Sequence, residues 1–378
     1  MSKPLNNPKK MGLLLTGGGA RAAYQIGVLK ALATSLPRNR EVPFKIICGT
    51  SAGAINATAL ACYASCFRLG VKKLEWVWKN FTTNQVYKCD GVSSFRYLLN
   101  NFFSSFQAEY ANKRSTSLFN NAPLRALLTE ILDLGRIDRN LVGGYLSALS
   151  INASCYNDGN SYSFYQSLEN HDWRREKRIG IKSAVNMNHL MASSAIPLVF
   201  PSVRIQQNYY GDGSVHQLSP LSPAIHLGAD KILIIGVEQP PGSKYYGLNP
   251  HPPDFATIAG HLLDTIFSDT LHSDIERLSR VNQTLSLLPD DKSPPLKKID
   301  HFLINPSHNF NQIACEYFHE LPLAVKMLLK TIGIQENSES SLGSYLLFEK
   351  PYTQRLIQLG FEDGLEKLNA LRDFLEIE

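Results

Sequence analysis

Three glycine-bordered turns carry the residues best suited to chemistry: Gly17-Gly18-Gly19-Ala20-Arg21, Gly49-Thr50-Ser51-Ala52-Gly53 and Gly211-Asp212-Gly213-Ser214. The second puts a single serine on a bend. A serine on so tight a turn needs neighbours without a Cβ, so that strand and helix can approach and Oγ can point outward; Gly49 and Gly53 meet that need. The amide of Ala52, just past the serine, would open a helix, where unsatisfied N–H groups and the dipole favour a developing oxyanion. The first turn offers consecutive N–H groups at another helix start. The third holds a carboxylate, Asp212, on a rigid bend next to Gly213. Oxyanion donors, a nucleophile and a base are therefore all available. A chance G-x-S-x-G in a chain of 25 glycines is the competing explanation, and the flanking elements weigh against it.

Those elements are a short apolar run, 44–48, and a small-residue helix, 54–67, which bracket the serine as strand, turn and helix. The same arrangement occurs earlier. Residues 12–16 read as a fully buried strand leading into the glycines. A helix follows with apolar positions Ala22, Ile26, Leu29, Ala33 and Leu36, stopping at Pro37. Two successive strand-to-helix units with short loops predict a mainly parallel sheet covered on both faces, with its active edge at the strand C-termini.

Residues 68–146 turn helical and aromatic, with Trp76, Trp78, Phe81, Phe95, Tyr97, Phe102, Phe103 and Phe106. They suit a cap over acyl chains or a membrane, or equally the core of a helical insertion. Strand patterns at 147–156 and 162–166, joined by Asn157-Asp158-Gly159-Asn160, predict a hairpin. The basic cluster Arg174, Arg175, Lys177 and Arg178 suits a solvated face or a phosphate contact. A helix over 188–196 ends at Pro197, a strand spans 204–210, and another buried strand spans 231–237. The proline-rich stretch from Pro240 onward marks a seam. Beyond it lie a helix candidate at 255–287, a strand at 302–305 and helices near 317–330 and 361–374. The expected organisation is a catalytic domain over 11–237, with 68–146 inserted in it, and a mostly helical C-terminal extension over 238–378.

With 44% hydrophobic and 19% charged residues, the 378-residue chain has the composition of a soluble globular protein. Its net charge of +5 is scattered, which leaves no footprint for nucleic acid but allows a mild attraction to an anionic membrane. Residues 1–10 are polar and lack the apolar stretch of a Sec signal, and no run reaches the roughly 18 apolar residues of a membrane span. A cytoplasmic protein, in peripheral contact with a membrane, is the expectation, with export by a non-Sec route as the exception. The six cysteines show no disulfide or zinc spacing. Cys62 and Cys66 lie one helical turn apart without a second pair, so all six read as reduced, apolar residues and no metal or other cofactor is expected.

Taken in order, the three turns and the stretch Ala192-Ser193-Ser194-Ala195-Ile196-Pro197 resemble the bacterial patatin-like phospholipases over roughly residues 11–237. That family carries G-x-G-x-x-G, then G-x-S-x-G, then D-G-A or D-G-G. Here Ala22 replaces the last glycine of the first motif, and Ser214 stands in the last position of the third. The resemblance implies a three-layer α/β fold and a lipid acyl hydrolase that works without a cofactor. It implies Ser51 as nucleophile, Asp212 as its direct base, and Gly17, Gly18, Gly19 and Arg21 in the oxyanion hole. A dyad is chemically reasonable, because an aspartate of reference pKa about 3.9 is ionised at neutral pH and accepts a serine proton once desolvated and positioned. His216 could complete a triad, but four residues along a strand would carry it roughly 13 Å from Asp212, which favours a structural histidine.

Two other readings compete. A dinucleotide-binding oxidoreductase would share the strand, glycines and helix of the N-terminus, but residues 36–40 lack the acidic residue expected about 20 positions past the glycines. A catalytically silent lipid-binding adaptor would use the same pocket, against which the intact Ser51 and Asp212 argue.

Overall fold

The computed structural model describes residues 9–88, 117–238, 270–288, 296–331 and 341–377, together with the single positions 240, 258, 262 and 265. The rings at Phe95, Tyr97, Phe102, Phe103 and Phe106 lie outside these residues, as does most of 255–269.

Five strands form the parallel heart of a ten-stranded sheet: β1 (Met11–Leu15), β2 (Ile46–Thr50), β3 (Ala148–Cys155), β9 (Lys231–Ile235) and β10 (Asp300–Ile304), in the order β10-β9-β1-β2-β3. Alternate side chains of these strands enter different cores, as a strand's period of two requires. Leu13, Leu15, Ile47, Leu233 and Ile235 join the larger core on one face, whereas Leu14, Ile46, Cys48, Ile232 and Ile234 join the smaller core on the other. Both faces being apolar, the sheet must be covered twice, and the expected three-layer α/β architecture follows.

Past β3 the sheet is mixed, with β4 and β6 parallel to each other and the other pairings antiparallel. The expected hairpin pairs β3 with β4 (Ser161–Ser167), and the sheet ends in β6 (Arg178–Lys182) and β5 (Trp173–Arg175). The strand expected over 204–210 is instead a hairpin. Val203–Ile205 (β7) turns at Gln206, whose φ is 53°, into Asn208–Asp212 (β8), and β8 pairs with the end of β3.

On the larger face lie α1 (Ala23–Ser35), α2 (Ala52–Cys62) and α3 (Phe67–Asn80). The helix expected over 54–67 is interrupted at 63–66, because the chain must reverse there to lay a second apolar stripe on the core. That stripe is Phe67, Gly70, Val71, Leu74 and Trp78 at helical spacing. Further on come α4 (Ala122–Ile131) and α5 (Met187–Ser193). α6 (Thr270–Ser286) is the described part of the helix expected over 255–287, and its Leu271 and Leu278 sit in the smaller core.

The boundary expected at 237 does not divide two separately packed bodies. β10 extends the sheet in register with β9, and α7 (Phe310–Tyr317), α8 (Ser341–Leu346) and α9 (Lys350–Glu366) return to the larger core. α9 crosses α1 at two facing glycines. A Cβ on Gly27 would run into the Ile357 carbonyl, and one on Gly360 into that of Tyr24. The crossing is locked by Asp363, which accepts hydrogen bonds from the Tyr24 hydroxyl (2.8 Å) and the Ser307 hydroxyl (2.6 Å).

Candidate active site

β2 ends at Thr50, and Ser51 follows with φ 55° and ψ −128°, a left-handed conformation that costs an L-residue of order 1–3 kcal/mol. Ser51 thus occupies a sharp elbow between β2 and α2. A Cβ at Gly49 would strike the Gly53 carbonyl, and one at Gly53 would strike those of Leu15 and Thr16, so both glycines are required for strand and helix to close up.

β3 brings Asp212 to Ser51. Its Asn152 pairs with Thr50 on one side, and its Ala153 pairs with Asp212 on the other, so Ser51 and Asp212 emerge at the same sheet edge. The Ser51 hydroxyl donates to Asp212 Oδ2 at 2.5 Å, and the Ser214 amide donates to Asp212 Oδ1 at 2.9 Å. The second contact fixes the carboxylate through the short helical turn that begins at Gly213. Asp212 is fully buried, and burial pushes its pKa up to about 6, while the hydrogen bonds from Ser51 and Ser214 pull the other way. Such a carboxylate is ionised at neutral pH yet far more basic than one in water. A hydroxyl bonded to it can be deprotonated as it attacks an electrophile.

Gly19, Ser51 and Ala52 line one cavity of about 30 Å³, walled by Ile55, Trp78, Phe81, Phe200 and Phe348. Ala52 opens α2, so its amide has no acceptor within the helix. The other predicted oxyanion residues divide. Gly17 lines a separate small cleft with Thr50 and Ser214. Gly18 packs against Val237, and its carbonyl accepts from the Arg21 amide at 3.0 Å. Arg21 is not brought to the cavity. Its buried guanidinium donates to Ser344 Oγ and Asn311 Oδ1, each at 2.8 Å, and lies 3.9 Å from the centre of the Tyr345 ring. A fully buried charge requires partners, and α7 and α8 supply them. The carbonyl of Tyr345 also packs against Gly19, which leaves this glycine turn closed over by protein rather than open to a dinucleotide.

His216 lies on the helical turn Gly213–His216 and not on a strand, so the strand argument for its distance from Asp212 fails, and its ring Nδ1 is buried without a hydrogen-bond partner among the described residues. Its amide donates to Ser154 Oγ, and burial and the charge of Lys177 lower its pKa. Asp212 makes no hydrogen bond to a histidine among the described residues. Among these residues no group of three or more His, Cys, Asp or Glu is arranged to hold a metal ion, and no helix is long and apolar enough to cross a membrane.

Some site residues had no individual role in the sequence reading, whereas Trp78 was among the rings read as a cap over acyl chains or as the core of an insertion. Ser193 Oγ accepts the Ser51 amide at 2.9 Å, and Ser194 and Ile196 stand at the cavity. All three belong to the 192–197 stretch that carries the resemblance. Trp78 is held over the cavity by its Nε1, which donates to Asn56 Oδ1 at 2.8 Å; Asn56 in turn donates to Gln25. Phe348 arrives from a region far away in sequence, with no local signal to mark it.

The sequence model of one family, described as "Patatin-like phospholipase", matches residues 13–225. A "cGAMP-activated phospholipase" of Pseudomonas aeruginosa is 26% identical over 203 residues, covering 54% of this chain and 52% of that protein, so the chain spans about half the length of the curated relative it matches. Among solved structures, human GIVD cytosolic phospholipase A2 aligns with a TM-score of 0.46 at 12% identity, over 97% of this chain and 60% of that one. VipD from Legionella pneumophila aligns with a TM-score of 0.40 at 13% identity, over 96% and 67%.

Proposed function

This chain belongs to the patatin-like phospholipase family, and from that premise we propose that it hydrolyses acyl esters of glycerophospholipids with Ser51 as nucleophile and Asp212 as base. The observation that carries the reading is the 2.5 Å hydrogen bond from Ser51 to a buried carboxylate, at the floor of an apolar cavity. In the first step Asp212 Oδ2 takes the hydroxyl proton as Ser51 Oγ bonds to the ester carbonyl carbon. The electron pair moves to the carbonyl oxygen, which the N–H groups of Ala52 and Gly19 receive. Collapse breaks the bond to the glycerol oxygen, which leaves with the proton from Asp212 and an acyl group on Ser51. Water then attacks the acyl-enzyme, gives its proton to Asp212, and the fatty acid departs as Ser51 recovers its proton.

Trp78, Phe81, Phe200 and Phe348 would hold the acyl chain. A cavity of about 30 Å³ has room for about one water, so a chain enters only as these rings move apart. The substrate resides in bilayers, and the positive net charge suits peripheral contact with an anionic surface.

Purified protein should release p-nitrophenol from a medium-chain acyl ester and be labelled at Ser51 by a fluorophosphonate. Ser51→Ala and Asp212→Asn should each lower kcat by about 10³-fold or more, and EDTA should leave turnover unchanged, since no step above uses a metal. Undiminished activity in Ser51→Ala would overturn the dyad. A wild type that binds lipid without turnover would favour the silent adaptor.

A further inference from the structure

A second, open cleft of about 350 Å³ lies beside the catalytic cavity, lined in part by Asn120, Asn121, Arg125, Asn188, Ser202 and Arg204. Neighbouring residues face the two spaces: Leu124 and Phe200 line the cavity, Arg125 and Pro201 the cleft. The polar groups of the cleft are unbalanced. Asn120 Oδ1 is taken by the Ala122 amide and Asn188 Oδ1 by Arg125 Nη1, while Arg204 Nε donates to the Gln206 carbonyl. Two of the cleft's acceptors, Asn120 Oδ1 and Asn188 Oδ1, are thus engaged within the protein. Among the described residues neither arginine pairs with a carboxylate. Asn121 is 5% exposed, and its Nδ2 has no hydrogen-bond partner there, a costly state for a buried donor. The N-terminus of α4, at Ala122, adds the positive end of a helix dipole.

We propose that this cleft binds a phosphate group, with Arg125 and Arg204 supplying charge and Asn121 a neutral donor. Guanidinium groups match phosphate oxygens in geometry as well as charge, and the volume is that of an ordinary ligand site. The phosphate can belong to a phospholipid headgroup whose ester lies over the rim at Ser51, an assignment that rests on the hydrolase reading, or to a free phosphate compound.

The test uses the full chain, as wild type, Arg125→Ala/Arg204→Ala and Arg125→Lys/Arg204→Lys. One arm measures Tm in inorganic phosphate against chloride at matched ionic strength. The other measures kcat/KM for a short-chain diacyl phosphatidylcholine relative to the matched diacylglycerol. Phosphate should raise the Tm of the wild type and not that of the double alanine variant. The phospholipid-to-diacylglycerol ratio should fall about 10-fold or more in the alanine variant and be partly restored by lysine. Lost phosphate stabilisation with an unchanged ratio supports the cleft and assigns it a free anion. No stabilisation of the wild type together with an unchanged ratio overturns the proposal. A wild type that hydrolyses neither lipid sinks the hydrolase reading alone, and the Tm arm still decides the cleft.

Discussion

Asp212 has two consequences that run in opposite directions. In the base role proposed for it, it must be ionised, so kcat/KM should fall below about pH 6, approaching a tenfold loss per unit. A profile flat down to pH 4.5 would show that the acceptor is another group. As a buried acid its native pKa lies above the unfolded value of about 3.9. The native state therefore holds the proton more tightly than the unfolded chain. The resulting stability is complete below about pH 4 and is lost as pH rises through about 6. Asp212→Asn can still accept the Ser214 amide through Oδ1 and donate to Ser51 through Nδ2. It should be inactive yet melt above the wild type at pH 8, with the gain vanishing toward pH 4. The turns that carry Ser51 and Asp212 were legible in the sequence because strained turns need glycines on either side, and glycines stand out in a string of letters. Arg21 was misread for the same reason. Its place in the motif marks the backbone, but where its side chain points is decided by Ser344 and Asn311, some 300 positions away.

Between elements, the tightest constraint is the crossing of α1 and α9. Alanine is the better helix former by about 1 kcal/mol, yet Gly27→Ala and Gly360→Ala would each press a methyl into backbone of the opposing helix. Each should lower stability by roughly 2–3 kcal/mol, read as a fall in Tm. An unchanged or higher Tm would mean that the helices do not meet there. The buried strands and α1 were readable from apolar runs and helical spacing alone. The break at 63–66 and the hairpin at Gln206 were not, since tertiary packing imposes each on a segment whose local pattern is continuous.

At the scale of the whole molecule, the segment beyond 237 completes the core around Ser51 rather than trailing from it. It provides an edge strand, the partners of Arg21, the helix opposite α1 and the ring of Phe348 in the cavity wall. Residues 11–237 made alone would lose the partners and rings that enclose Arg21 and would bare to water the face of α1 that α9 covers. That fragment should aggregate or stay unlabelled by fluorophosphonate, and co-expression of 238–378 should restore labelling. A soluble, labelled 11–237 would show that the two parts fold separately. The seam at Pro240 was visible as composition; the return of the chain across it was not, because long-range pairing leaves no local trace. The elbow at Ser51 and the dry carboxylate beside it carry one more implication. Under the proposed mechanism, a glycine in place of the first, or a neutral isostere of the second, would sit more comfortably and do nothing. Unopposed genetic drift thus leads toward sturdier, inert descendants, and a lineage that keeps both side chains is being selected for turnover rather than for durability.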